Sequence, residues 1–259
     1  MAYDTILVEK SDEHVGTITL NRPEHLNTFS SVMAFELDRA LLELDNDPDL
    51  RVILIKGAGR GFSAGIDVNE MFGKTTMEHR EWVHNMEKPL VTVTELKKPV
   101  IAQVHGPAVA NGSGLVAASD LAIASEDARF GLTAIKVGLS CLGPVIPVSR
   151  LIGHKRALEM LLSGDLIGAE EALKIGLINK VVPRTELENE CRKLAQKLAS
   201  KSPVAIQLSK RAFYSVSELD YRQAFEYMNE AFARLCSTED AQNGVKAFLE
   251  KREPSWKGR

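Results

Sequence analysis

Two glycine-rich turns contain the residues whose types and spacing could do chemistry. The first turn is Gly61-Phe62-Ser63-Ala64-Gly65-Ile66-Asp67, and the second is His105-Gly106-Pro107-Ala108-Val109-Ala110-Asn111-Gly112-Ser113-Gly114. Small residues let a ligand touch the main chain, and the first N–H groups of a helix are unpaired and partly positive. Two such groups converging on one point would form an oxyanion hole. The alternative is two tight connections without a ligand.

The turns follow segments that the sequence predicts to be strands. Val52–Ile55 is a short β-branched run of the kind found inside a sheet, and it leads into the first turn. Pro99–Val104 leads into the second turn, which opens a helix-like run at Leu115–Ser119. An earlier strand is predicted at residues 14–20. The order of strand, turn and helix therefore occurs twice.

Helical periodicity accounts for much of the remaining chain. Ser30 or Ser31 can cap a helix that Asp45–Asp49, with Pro48, ends. Its apolar positions are Phe35, Leu37, Leu41, Leu42 and Leu44. Later helices are predicted at Ala157–Ser163, Ala169–Ile175, Leu187–Leu198, Pro203–Val216 and Glu218–Cys236, with Gly164, Gly168 and Gly176 between them. We expect an α/β core at residues 1–195 and a helical region at residues 196–259.

Composition excludes several classes of function. The 259 residues include 32 Lys+Arg and 35 Asp+Glu, a net charge of -3, which favours neither nucleic acid nor a membrane surface as a partner. No apolar run approaches the roughly 18 residues of a membrane span, and Met1–Lys10 has no signal-peptide pattern. The three cysteines are too few and scattered for a disulfide framework or a zinc site. We expect a cytoplasmic protein without a metal.

We also set aside four common site motifs. The sequence is interpreted as lacking the dinucleotide, P-loop, zincin and hydrolase-elbow patterns. The two turns are then the remaining candidates for a site.

Six strings in register resemble the enoyl-CoA hydratase/isomerase (crotonase) superfamily over nearly the whole chain. They are Asn21-Arg22-Pro23 with Leu26-Asn27, Gly61-Phe62-Ser63-Ala64-Gly65-x-Asp67, Lys98-Pro99-Val100-Ile101-Ala102, Ser119-Asp120-Leu121, Ala128-Arg129-Phe130-Gly131, and Ala172-x-x-x-Gly176-Leu177-Ile178-x-x-Val181-Val182. The resemblance implies an α/β fold, a crotonase-like spiral of ββα units with a C-terminal helical trimerisation region. It also implies a homo-trimer or homo-hexamer that acts on an acyl-CoA substrate.

The same resemblance assigns roles to individual residues. The main-chain N–H groups of Ile66 and Asn111 would form the oxyanion hole. Coenzyme A, present only as part of the thioester substrate, would lie across His25-Leu26 and Ala64-Gly65-Ile66-Asp67. Phe248 and Lys251 match positions that cap its adenine and phosphate end, often from a neighbouring subunit. Asn69 stands near a position where the family often has Lys.

The two glutamates of a family hydratase are absent, because their positions are Gly114 and Ala134 here. The acid that some members place near residue 142 is also missing. Replacement candidates lie on residues 75–96, which match a helix that covers the acyl pocket in the family. They are His79, Glu81, His84 and Glu87, of which His84 is the first candidate base. Cys141 and Ser140 could line the pocket, and a buried structural role is favoured for Cys141.

The sequence leaves three functions open. The first is an enoyl-CoA hydratase/isomerase family enzyme, a lyase or isomerase in fatty acid metabolism that stabilises a thioester enolate. The second is a hydrolase, decarboxylase or C–C lyase acting on a CoA thioester. The third is an acyl-CoA-binding protein without turnover.

Overall fold

The computed structural model describes residues 3–259, and a six-stranded sheet forms the centre of the fold. Its strand order is β1-β2-β3-β4-β6-β9, with β1 antiparallel to β2 and the other neighbours parallel. Its strands are β1 (Ile6–Lys10), β2 (Val15–Leu20), β3 (Val52–Gly57), β4 (Val100–Val104), β6 (Leu121–Ser125) and β9 (Lys180–Val182). The three strands predicted from the sequence are confirmed as β2, β3 and β4.

A second sheet of three short strands completes the β structure. It has the order β5-β7-β8, in which β5 pairs with β7 in parallel and β7 with β8 antiparallel. The strands are β5 (Pro107–Val109), β7 (Arg129–Gly131) and β8 (Ile167–Gly168). Strand β5 lies within the second glycine-rich turn, so part of that turn is held by main-chain pairing.

Helices cover the sheet on both sides. They are α1 (Ser31–Asn46), α2 (Thr76–Glu95), α3 (Asn111–Ala118), α4 (Val145–Ile152), α5 (His154–Ser163), α6 (Ala169–Lys174), α7 (Leu187–Ala199), α8 (Pro203–Ser215), α9 (Tyr221–Cys236) and α10 (Glu239–Leu249). The Ser30 hydroxyl caps α1 by accepting a hydrogen bond from the Met33 N–H, as its sequence predicts. Two apolar positions of this helix, Phe35 and Leu42, are exposed, so its apolar face is wider than the core contact.

Helix α7 forms a second, smaller core on the sheet. Its residues Cys191 and Ala195 pack with Val52, Leu54 and Ile101 from the strands. Because α7 runs from Leu187 to Ala199, the expected division at residue 195 would fall inside a helix that belongs to the sheet packing. The division into two regions otherwise stays a prediction.

One buried ion pair attaches the C-terminal helices to the core. Lys210 of α8 lies 2.7 Å from the Asp120 carboxylate, and its ammonium group also donates to the carbonyls of Val93 and Lys98. Burial lowers the pKa of Lys210, while Asp120 acts in the opposite direction. The hydroxyl of Tyr214 donates to the other Asp120 oxygen. Three separate parts of the chain, residues 93–98, Asp120 and residues 210–214, therefore meet at this pair.

Helix α9 is exposed along its length. It has no buried residue, and Tyr221 and Phe232 have exposed fractions of 82% and 66%. In the described part of the chain, every helix is too short or too polar to cross a membrane.

Candidate active site

The two glycine-rich turns lie directly against each other. Ser63 and Ala108 form a parallel bridge, and the Val109 N–H donates to the Ser63 carbonyl at 2.9 Å. The approach is so close that a β-carbon on Gly112 would lie 2.4 Å from the Ser63 oxygen. Glycine is required at this position because any side chain would separate the turns.

The N–H groups of Ile66 and Asn111 lie in the two turns that form this contact. A β-carbon on Gly65, the residue bonded to Ile66, would lie only 3.7 Å from the Asn111 nitrogen. The peptide groups around Ile66 are occupied, since Phe29 donates to the Gly65 carbonyl and accepts from the Asp67 N–H. Within residues 3–259 neither donor has a hydrogen-bond acceptor, and Asn111 begins α3, where the helix leaves its N–H unpaired. The Gly65–Ile66 peptide therefore lies close to the start of α3, and an oxyanion hole formed by Ile66 and Asn111 stays a prediction.

Strained backbone precedes the second donor. Ala110 has φ 50° and ψ -117°, a conformation that non-glycine residues rarely adopt. Its N–H donates to the Gly131 carbonyl at 2.8 Å. The Ser113 hydroxyl donates to the Ala108 carbonyl at 2.6 Å and accepts from the Gly131 N–H at 3.1 Å. These bonds fix the start of α3, where the Asn111 N–H has no acceptor within the helix.

The first turn is held by side chains from the Asn-Arg-Pro segment. The Asn27 amide donates to the carbonyls of Ala58 and Gly61 at 2.8 and 2.9 Å. Arg22 forms a 3.0 Å ion pair with Asp67. Burial would raise the pKa of Asp67, but hydrogen bonds from Arg22 and Asn69 lower it below its usual value. Arg22 and Asn27 thus position the first glycine-rich turn, a role that could not be predicted from their residue types alone.

The statement that the sequence lacks a hydrolase-elbow motif is wrong. Gly61-Phe62-Ser63-Ala64-Gly65 does match the G-x-S-x-G pattern of a hydrolase elbow. Ser63 is fully buried, however, and its hydroxyl donates to the Asn27 carbonyl at 2.8 Å. A nucleophilic serine must be exposed to its substrate. The motif is present, but the burial of Ser63 rules out a role as nucleophile.

The residues expected to contact coenzyme A fall into two groups. The Ala64 N–H donates to the Leu26 carbonyl at 2.9 Å, which joins His25-Leu26 to the turn 64–67. The His25 ring is half exposed and lies 3.8 Å from the Glu24 carboxylate. Phe248 and Lys251 lie at the end of α10, which packs on α8 and α9, and Phe248 is 82% exposed. Within one chain they are not brought to the turns.

Gly114 is closely packed. It lies one helical turn after Asn111, and a β-carbon there would lie 2.7 Å from Leu90 Cδ2 and 3.0 Å from Pro144 Cβ.

Ala134 is half buried in a short 3₁₀ helix, Thr133–Val137. Burial raises the pKa of the neighbouring Cys141 thiol, although the Ala134 N–H acts against it, so the thiol form is favoured.

Helix α2 packs beside α3, and it places one acid inward. The Asn111 amide donates to the Met86 carbonyl at 3.3 Å, and the next residue, Glu87, extends towards Gly143. Burial raises the pKa of Glu87, while the Gly143 N–H and the nearby His84 act to lower it. His79, Glu81 and His84 are not buried in the protein.

Comparison with known proteins identifies the family of this chain. The sequence model described as enoyl-CoA hydratase/isomerase matches residues 10–259. The chain belongs to this family. It is 36% identical over 255 residues to the short-chain-enoyl-CoA hydratase of Clostridium acetobutylicum, covering 98% of this chain and 97% of that protein. It is also 36% identical over 243 residues to human enoyl-CoA hydratase domain-containing protein 3, mitochondrial, covering 93% and 80%.

Solved structures agree with this assignment to the enoyl-CoA hydratase/isomerase family. An enoyl-CoA hydratase from Mycobacterium smegmatis superposes with a TM-score of 0.94 at 36% identity, covering 98% of this chain and 99% of that one. Human enoyl-CoA hydratase domain-containing protein 3 superposes with a TM-score of 0.92 at 35% identity, covering 98% and 100%. The predicted α/β crotonase fold is therefore confirmed, and the chain is an acyl-CoA enzyme of the enoyl-CoA hydratase/isomerase family.

Proposed function

We propose that this enzyme binds an acyl-CoA and stabilises a thioester enolate between the N–H groups of Ile66 and Asn111. The observation that supports the proposal is the close contact between the glycine-rich turns, in which Gly65, the neighbour of Ile66, lies beside Ala110 and Asn111. When the α-carbon loses a proton, negative charge collects on the thioester oxygen. Two preorganised donors are worth roughly 3–4 kcal/mol each in barrier.

The reaction is proposed to differ from two-glutamate hydration. Gly114 and Ala134 occupy the positions where the family resemblance places the two acids, and neither can transfer a proton. The packing of Gly114 against Leu90 and Pro144 fills the space in which a side chain would begin. The proposed activity is therefore a lyase or isomerase reaction of an acyl-CoA that proceeds through the enolate with different acid–base groups.

Coenzyme A is proposed to enter only as part of this substrate. Its contacts would come from His25, Leu26 and the turn 64–67, which the Ala64–Leu26 hydrogen bond holds together. Among residues 3–259 no group of three or more His, Cys, Asp or Glu could hold a metal ion. The proposed chemistry needs only the main-chain donors and a group that moves protons.

We propose a homo-trimer or homo-hexamer as the assembly. Exposed aromatic residues on α9, including Tyr221 and Phe232, support a contact with a second copy of this chain. Such a contact could also bring Phe248 and Lys251 to a neighbouring site. Light scattering tests this proposal, and a monomer at micromolar concentration would contradict it. A cytoplasmic location and a role in fatty acid metabolism remain parts of the proposal.

Turnover and binding of an acyl-CoA panel test the proposed function. Crotonyl-CoA should raise the melting temperature, and loss of its enoyl absorbance should be slower than in a two-glutamate hydratase by about 10²-fold or more, since acid–base groups are lost. Release of free CoA or CO₂ would instead indicate the hydrolase, lyase or decarboxylase alternative. Binding without any product would indicate a non-catalytic protein, and absence of binding would reject the proposal.

A further inference from the structure

Glu87 is an acid on the part of α2 that packs against α3, the helix that carries the proposed donor Asn111 and the vacant position Gly114. Its neighbour in the chain, Met86, accepts a hydrogen bond from the side chain of Asn111. Leu90, one turn later on α2, fills the space beside Gly114. Met86 and Leu90 of α2 therefore lie against Asn111 and Gly114 of α3, and Glu87 lies in the same turn of α2.

Gly143 fixes the position of the Glu87 carboxylate. A β-carbon on Gly143 would lie 1.9 Å from Glu87 Oε1 and 2.0 Å from Cδ, so the acid occupies the space that a side chain would need. The Gly143 N–H also acts on the carboxylate, because it lowers the pKa of Glu87 against the effect of burial. Pro144, the next residue, touches the Gly114 position. The carboxylate is thus held between α2 and Gly143, and Pro144 connects this position to Gly114 of α3.

We propose that Glu87 is the catalytic base that transfers the α-proton of the bound acyl-CoA, an inference that rests on the proposed function. The Glu87 carboxylate accepts the proton, the C–H electron pair forms the enolate double bond, and the carbonyl electron pair moves to the oxygen held by Ile66 and Asn111. The carboxylic acid then returns a proton to the carbon skeleton. Atoms and electrons balance without an oxidant or a further co-reactant.

The environment of Glu87 suits this role. Burial raises its pKa, which makes the carboxylate a stronger base than an exposed glutamate, and the Gly143 N–H still supports the ionised form. His84 is the titratable group facing it on its own helix, and Gly143 is the polar group facing it from the opposite segment. Glu95 lies on the same helix and is exposed, so it offers a matched control.

Exchange of the α-hydrogens of butyryl-CoA in D₂O tests the proposal without requiring a complete reaction. Mass spectrometry should show enzyme-dependent deuterium uptake, with a rate that rises with pH as Glu87 ionises. Glu87→Gln should lower the exchange rate by about 10²-fold or more while butyryl-CoA still raises the melting temperature. Glu87→Asp should retain part of the rate. Glu95→Gln should exchange at the wild-type rate.

Gly143→Ala provides an independent test, because it leaves the carboxyl group in the chain but displaces it. The nearest atoms to the added methyl group are all at the flexible end of Glu87, so the fold should tolerate it. Exchange should fall as in Glu87→Gln. The proposal is overturned if Glu87→Gln exchanges at nearly the wild-type rate, or if wild-type protein binds butyryl-CoA without exchange. Loss of both binding and exchange in the wild type would reject the proposed function itself.

Discussion

The carboxylate of Glu87 and a side chain at position 143 exclude each other, since a β-carbon on Gly143 would lie 1.9 Å from Glu87 Oε1. The glycine therefore allows an acid from α2 to be held inside the protein beside α3. Such burial has a cost that can be measured in the free energy of unfolding, because an ionised carboxylate loses contact with water.

Glu87→Gln should stabilise the protein at alkaline pH. Burial raises the folded-state pKa of Glu87 above its ordinary value, so its contribution to stability is greatest below that ordinary value and is lost as pH rises through the folded pKa. The melting temperature of the variant should exceed that of the wild type at pH 8. The difference should shrink towards about pH 4.5, near the ordinary pKa of Glu.

Thermal denaturation over this pH range checks the prediction. The matched control is Glu81→Gln, which removes an exposed carboxylate from the same helix. A variant less stable than the wild type at pH 8 would contradict the burial cost assigned to Glu87.

Gly114 is predicted to resist substitution even though it lies in a helix. Alanine normally stabilises a helix interior by about 1 kcal/mol relative to glycine. Here its β-carbon would lie 2.7 Å from Leu90 Cδ2 and 3.0 Å from Pro144 Cβ. Overpacking should dominate, so Gly114→Ala should destabilise the protein by about 1–3 kcal/mol.

A double-mutant cycle identifies the cause of that loss. In a Leu90→Ala background, Gly114→Ala should cost less, because one of the two crowding groups is removed. Urea denaturation of the four proteins gives the coupling free energy. Additive effects would contradict the proposed clash. By the same argument, Gly114→Glu should not restore an active-site acid unless Leu90 is also shortened.

Local patterns explain why much of the fold could be predicted from the sequence. Val52–Ile55 and Pro99–Val104 are apolar runs that end in small-residue turns, and these features depend on neighbouring residues only. The strands β5, β7 and β8 have three or two residues each, which is too short for alternation to be recognised. They form because the turns pair with distant main chain.

The main-chain donors of the candidate site could be proposed from the sequence, whereas the position of the Glu87 side chain could not. Ile66 and Asn111 lie in two turns that can be recognised by their glycines. The family resemblance predicts that these two residues act together. From the sequence, Glu87 is only one of four candidate acid–base residues on α2. Its position depends on Gly143, a glycine in a segment without helical or strand periodicity, so the contact could not be read from either sequence region.

Asp120→Ala should destabilise the protein strongly, because it leaves the Lys210 ammonium buried without its counter-ion. The side chains of Lys210 and Asp120 are only 6% and 15% exposed. Breaking such a pair typically costs about 3–5 kcal/mol. Chemical denaturation checks the value. Glu218→Ala is the control, because it breaks a pair with Arg150 in which both side chains are exposed, and it should cost at most about 1 kcal/mol.

Gly65→Ala should abolish most turnover while leaving the chain folded. Gly65 has φ +100°, and a β-carbon there would lie 2.7 Å from Ala110 Cβ and 3.7 Å from the Asn111 nitrogen. The methyl group would push the two turns apart and misalign the donors. Loss of one oxyanion-hole donor lowers kcat by about 10²–10³-fold, so α-hydrogen exchange of butyryl-CoA should fall by at least a comparable factor.

Gly73→Ala separates this effect from backbone strain. Gly73 also has a positive φ, +77°, but a β-carbon there would meet no atom within 4 Å. Both substitutions place alanine in an unfavourable backbone conformation, so both should lower the melting temperature. Only Gly65→Ala alters the contact between the turns. Equal losses of exchange in the two variants would assign the effect to strain and would contradict an oxyanion hole at Ile66 and Asn111.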